Sequence, residues 1–240
     1  MMTMIWYGLL CVGGGLVTAI TGFGFALVVM MLLPYVWPDL RFCVAVAGCV
    51  SVAVSGVVWF LMRKHIRMKK MIWPLLGSFA ATAMAMWLFS GGANALLTRI
   101  FGGVLVLFSV WFLLLSSRVK VPRGAAAGLV SGGLSGLLGA LFSTSGPPIA
   151  AWMLITTPDR DEYMANIQMF FTLTSAHATV MRAVNGQITG PVLLYAAAGL
   201  AIGMAGYWAG KKIAGRMNAK AIRLCVCILM AVSGVNLLVN

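Results

Sequence analysis

The sequence predicts an all-α integral membrane protein: two related four-span halves, arranged as inverted repeats, with the first and fifth spans broken or re-entrant. Three observations predict it. Of 240 residues, 62% are hydrophobic and only 9% charged, and the mean hydropathy is +1.01. A soluble domain of this length cannot bury so much apolar surface, so a bilayer must be the solvent. Two apolar runs are too long for a single crossing. Both are interrupted, at matched places, by glycines and hydroxyl residues.

The apolar runs cover about 4–36, 41–61, 71–89, 99–115, 124–156, 163–183, 189–210 and 221–239. Six have the length of one crossing. The first and fifth hold about 33 residues each, so a straight helix would reach roughly 50 Å against a hydrocarbon core of roughly 30 Å. The first breaks at "TAITGFGFAL", with Thr18, Thr21, Gly22, Phe23 and Gly24. The fifth breaks at "LLGALFSTSGPPIAAWML", with Ser143, Thr144, Ser145, Gly146, Pro147 and Pro148. Each break follows a glycine-rich run, "VGGGL" and "VSGGLSG". Later in each half, "MRKHIRMKKMIWPLLG" lines up with "MRAVNGQITGPVLLYAAAG", pairing Arg63 with Arg182 and Gly77 with Gly199. The halves are therefore 1–117 and 118–240, meeting in the basic loop "SSRVKVPRG".

Charge orients the chain. The basic loops 63–70, 118–123 and 211–223 are expected on the cytoplasmic side. Two crossings separate the first pair, which is consistent. Three runs separate the second pair, which is one too many unless the fifth enters and returns as a hairpin. Arms of about 15 residues would reach roughly 22 Å. The alternative keeps both long runs as tilted, kinked crossings, and one loop then breaks the charge rule. The net charge of +13 is explained by orientation, so no nucleic acid is expected as a partner; membrane lipid is. The N-terminal "MMTMIWYGLL" has no basic leader or cleavage site, and the first run is expected to stay in the mature protein. Trp6, Trp37, Trp73 and Trp208 near run ends are expected interface anchors. The cysteines, Cys225 and Cys227 among them, show no zinc-ligand spacing. No cofactor, metal or structural disulfide is expected.

The breaks are the first place to look for chemistry, because irregular backbone survives in lipid only when buried or facing a wet cavity. Ser143, Thr144 and Ser145 offer hydroxyls to an anion. Gly22, Gly24 and Gly146 offer backbone N–H groups and close approach. Pro147 suits the first turn of a new helix, whose positive end faces the break. Thr21 joins this set, and Phe23 walls it or packs it. The plainer reading is that these glycines and serines only allow close helix packing. The four acids, Asp39, Asp159, Asp161 and Glu162, lie at run ends or loops. A cation carrier needs a carboxylate mid-span, so a small anionic substrate is the expected partner. The sixth run adds Asn166 and Gln168 as donors and His177 as a carrier of a coupling proton or as an interhelical hydrogen-bonding group. Arg182 is expected to snorkel to the interface or to greet an anion.

The stretches "GGGLVTAITGFGFALVVMMLLP" and "GLVSGGLSGLLGALFSTSGPPIAAWML" resemble the paired glycine-rich motifs of the TauE/SafE sulfite-exporter family of membrane permeases. The resemblance extends over essentially the whole chain. Its motif positions are Thr21, Gly22, Phe23, Gly24 and Ser145, Gly146, Pro147, Pro148. This chain carries "FSTSGPP" where the second motif has a triple glycine, a form that marks a subgroup. The resemblance implies a bacterial inner-membrane transporter of sulfite, a sulfonate or another organic acid, working by alternating access and not an enzyme. A homodimer is compatible with it. Two rival classes stand beside it. One is a passive anion channel or membrane assembly factor. The other is a rhomboid-like intramembrane protease, with Ser135 of "GLSG" as nucleophile and His177 as base; a misplaced Val180 and the duplication count against it.

Overall fold

A computed structural model describes residues 2–88, 94–110, 124–157 and 159–213, with single positions 228, 231, 235 and 238. The loop 118–123, the join between the halves, most of 211–223, most of the eighth run, and Cys225 and Cys227 lie outside the described residues. The elements are α1 (Met2–Thr21), α2 (Phe25–Val36), α3 (Leu40–Met62), α4 (Met68–Leu88), α5 (Asn94–Val110), α6 (Ala125–Phe142), α7 (Gly146–Thr156), α8 (Arg160–Val184) and α9 (Gly190–Ile213). Among the described residues every element is helical. α1, α3, α4, α6 and α9 are long and apolar enough to cross a membrane.

Both long runs break where glycines and hydroxyls interrupt them. Each second arm folds back along the first. A Cβ on Gly14 would press on Phe25, and one on Gly13 would meet a Val28 methyl at 3.8 Å. In the other hairpin the Ser135 hydroxyl accepts the Ile149 N–H at 3.0 Å. The arms are unequal, however: 20 and 12 residues in the first hairpin, 18 and 11 in the second. The long arm of about 30 Å can span the hydrocarbon, whereas the short arm of about 18 Å cannot.

α3 and α8 run antiparallel through the middle. At one end the Arg67 N–H donates to Asn166 Oδ1 at 2.9 Å. At the other, Gly48 lies beside the Arg182 guanidinium. Matching aspartates start both helices: Asp39 accepts the Arg41 N–H and Asp159 the Glu162 N–H, supplying partners to otherwise orphaned first-turn donors. The capped α8 therefore begins on the charged triplet Arg160, Asp161 and Glu162, before the apolar pattern starts. α8 is also the most polar of the long helices. Asn166, Gln168, Thr172, Thr174 and Arg182 are all buried on it, so its polarity is wrapped in protein and not offered to lipid.

The hairpins open at opposite ends. Tyr7 of α1 donates to the Tyr195 carbonyl at 2.8 Å beside Trp37 and Phe42, where α3 begins. Trp37 is thus packed among aromatic rings, while Trp6, Trp73 and Trp208 remain exposed. Thr156, at the end of α7, accepts from Lys70 Nζ at 3.1 Å, where α4 begins. Lys70 also pairs with Glu162 at 2.7 Å. Outside the central pair, α1 packs on α9 and α6 on α4. Glycine makes both contacts possible. A side chain on Gly132 would overlap the Pro74 carbonyl, and one on Gly206 would overlap that of Val12.

Candidate functional site

Two helix N-termini meet in the middle of the bundle. Residues 24–27 open α2, and Ser145 and Gly146 open α7; both sets line one cavity of about 30 Å³. That is room for about two waters. Ser51 and Ser55, halfway along α3, and Phe171 and Ser175, halfway along α8, complete its wall. The breaks touch directly, since a Cβ on Gly146 would lie 2.8 Å from the Phe23 ring.

The backbone at each break is held open by defined groups. Gly22 has φ 83° and Gly24 φ 108°, conformations that an L side chain disfavours. The Thr21 hydroxyl bonds the Val17 and Phe23 carbonyls and accepts the Phe23 N–H at 3.3 Å. Gln168 Nε2 donates to the Gly22 carbonyl at 2.9 Å, and the Tyr163 hydroxyl reaches Thr21 O at 3.3 Å. In the second break a non-glycine, Ser143, takes the left-handed conformation at φ 53°. Its hydroxyl donates to the Val44 carbonyl at 2.8 Å, which offsets a cost of roughly 1–2 kcal/mol for that backbone. Thr144 donates to Phe142 O at 3.0 Å.

Electrostatically the cavity is one-sided. The first N–H groups of α2 and α7 have no partner within their own helices, and both dipoles present their positive ends. Ser145 caps α7 without bonding its backbone. The hydroxyls of Ser51, Ser55, Ser145 and Ser175 have no protein hydrogen bond among the described residues. No acid lines the cavity. Such a surface can donate many hydrogen bonds and supplies no counter-charge to a cation.

Of the residues singled out in the sequence, Gly24, Ser143, Thr144, Ser145 and Gly146 line the cavity. Thr21, Gly22 and Phe23 shape the first break beside it, and Pro147 sits in the first turn of α7. Gln168 holds the first break from α8. Asn166 lies farther along α8 and binds the backbone of the basic loop. His177 packs against Phe79 at 4.9 Å between ring centroids, with Nδ1 buried and unpartnered, outside the cavity lining. Arg182 does not snorkel: it is 1% exposed, and its guanidinium bonds the last carbonyls of α6. Ser51, Ser55, Phe171 and Ser175 were not marked as site residues by the sequence. The signal available was serines one helical turn apart in otherwise apolar runs. A Ser135–His177 dyad is absent, because the Ser135 hydroxyl is fully buried and engaged with Ile149.

A helical bundle with several membrane-length spans, folded around a small chamber lined with hydroxyls, is an integral membrane protein built like a transporter. The chain belongs to the sulfite exporter TauE/SafE family, which it matches over residues 7–237. Members of that family are membrane transporters, not enzymes. No curated protein and no solved structure matches the chain.

Proposed function

We propose that the protein carries a small anion, such as sulfite, a sulfonate or another organic acid, by alternating access around the two breaks. The observation that carries this reading is the convergence of two helix N-termini and four unbonded serine hydroxyls on a chamber without an acid. Ser145 and the backbone N–H groups that open α2 and α7 bind the anion's oxygens. The chamber is too small for a hydrated oxyanion, so the hairpins part to load it.

The inverted-repeat reading has support from matched positions. Asp39 and Asp159 start the central helices, and Ser55 on α3 has its counterpart in Ser175 on α8. The α1–α9 contact mirrors α6–α4, and the two hairpins open at opposite ends. On this reading the loop 63–70 faces the cytoplasm of a bacterial cell, and the α1–α2 hairpin opens outside.

The test is uptake of radiolabelled sulfite into proteoliposomes holding the full chain, with taurine, sulfoacetate and acetate as competitors. Saturable uptake suppressed by at least one competitor is expected. Flux that rises linearly with concentration and ignores every competitor would indicate a pore and overturn the carrier.

A further inference from the structure

We propose that Arg182 is a second anion station. It forms the floor of a vestibule beyond the chamber, and an arriving anion releases its grip on α6. The inference rests on the carrier reading and adds the route by which the anion reaches the chamber.

Arg182 is buried and lacks an acid. The ion pairs among the described residues join Arg67 and Lys70 to Glu162, at the other end of α8. Arg182 instead donates Nη2 to the carbonyls of Gly139 at 2.9 Å and Ala140 at 2.8 Å. Carbonyl dipoles at a helix C-terminus attract a cation. They do not neutralise it, and an uncompensated buried charge is costly. Nη1 and Nε have no hydrogen bond among the described residues. Nη1 lies directly over Gly48, where any Cβ would come within 2.7 Å of it. The Thr179 hydroxyl beside it is also buried without a partner. Donors held ready around a bare cation suit an anion.

A cavity leads to this group. It has about 50 Å³ and is lined by Arg41, Val44, Leu141, Arg182, Asn185 and Gln187 among others, with no acid. It lies at the end of α8 opposite the basic loop. Its inner wall is the wall of the chamber: Ser143 lines the chamber, and its hydroxyl bonds the carbonyl of Val44, which lines the vestibule. The septum is therefore the Ser143–Val44 contact backed by Arg182. An anion docking on Nη1 competes with Gly139 and Ala140 for the same guanidinium. Losing those bonds frees the C-terminus of α6, and with it Ser143.

The experiment uses the full chain in proteoliposomes carrying Gln187→Cys, with the parent as background. Labelling is timed with a negatively charged methanethiosulfonate bearing a sulfonate and with its trimethylammonium analogue. Relative to free cysteine, the anionic reagent is expected to be favoured roughly tenfold or more, and Arg182→Gln should abolish the preference. Arg182→Gln should also raise the KM for sulfite roughly tenfold or more. Arg182→Lys keeps the charge. It should keep the labelling preference while raising KM, and it serves where the glutamine variant fails to accumulate. A preference that survives Arg182→Gln, one that is lost in Arg182→Lys, or a KM untouched by either variant overturns the station. If the parent carries no sulfite, the carrier reading falls for that ion, and the labelling ratio still decides the role of Arg182.

Discussion

Ser143 and Ser145 stand two residues apart in the same break, and removing their hydroxyls should have opposite consequences. Ser145 has no protein hydrogen bond among the described residues and lines the chamber. Its alanine variant leaves no partner orphaned, so folding stability should change by less than about 0.5 kcal/mol. If the carrier reading holds, the same hydroxyl donates to the bound anion, and a bond to a charged group contributes about 1.5–3 kcal/mol. The KM for sulfite should therefore rise roughly 10-fold to 150-fold. Ser143 is the reverse case. Its hydroxyl is committed to Val44 O at 2.8 Å and holds a left-handed residue in place. Ser143→Ala should lower stability by about 0.5–1.5 kcal/mol through the lost hydrogen bond, with a smaller change in KM. The assay pairs thermal unfolding in detergent with initial uptake rates in proteoliposomes at matched protein abundance. A Ser145→Ala protein whose KM stays within about twofold of the parent would refute the placement of the anion.

Three further variants probe the scaffold. Ser135→Ala leaves the buried Ile149 N–H without its acceptor and should cost about 1–3 kcal/mol of stability in a detergent melt, with KM unchanged. Gly132→Val drives a side chain into the Pro74 carbonyl. It should cost about 1–3 kcal/mol or more as α4 and α6 separate, read as lost folded protein by fluorescence-detected size exclusion. Gln168→Leu removes the donor to the Gly22 carbonyl. It should slow maximal uptake more than it raises KM, because it loosens a break without touching the chamber wall.

The breaks were legible because lipid leaves little freedom. Glycines with positive φ, hydroxyls and a proline pair inside apolar runs have few other uses. The basic loops posed a parity problem that a hairpin at the fifth run would solve, and the bond from Ile149 to Ser135 shows that run folding back on itself. Arm lengths were not legible, since the sequence marks where a helix breaks more sharply than where hydrophobicity stops. Ser51 and Ser55 were hidden for a different reason. A serine in an apolar helix ordinarily bonds its own preceding turn, and only the three-dimensional chamber reveals that these do not. The burial of Arg182 was not legible, because its position near a run end mimics an interface residue. What buries it is the second hairpin, which comes from more than forty positions upstream in the chain and leaves no local trace.

If the protein works by alternating access, α8 offers a way to couple the opening of one side to the closing of the other. It grips both hairpins at once, through Gln168 on the first break and through Arg182 on the end of α6. The two grips lie fourteen residues apart on the same rod, Arg182 near its end and Gln168 toward its other half, and the hairpins they hold open toward opposite faces. In the carrier reading, a tilt of α8 that relieves one grip tightens the other, because a helix transmits displacement along its length with little internal give. A lipid-facing helix could not do this, since buried donors on both ends would lack partners during the swing. That is a physical reason for the chain to keep its most polar long helix at the centre, sheathed by apolar ones.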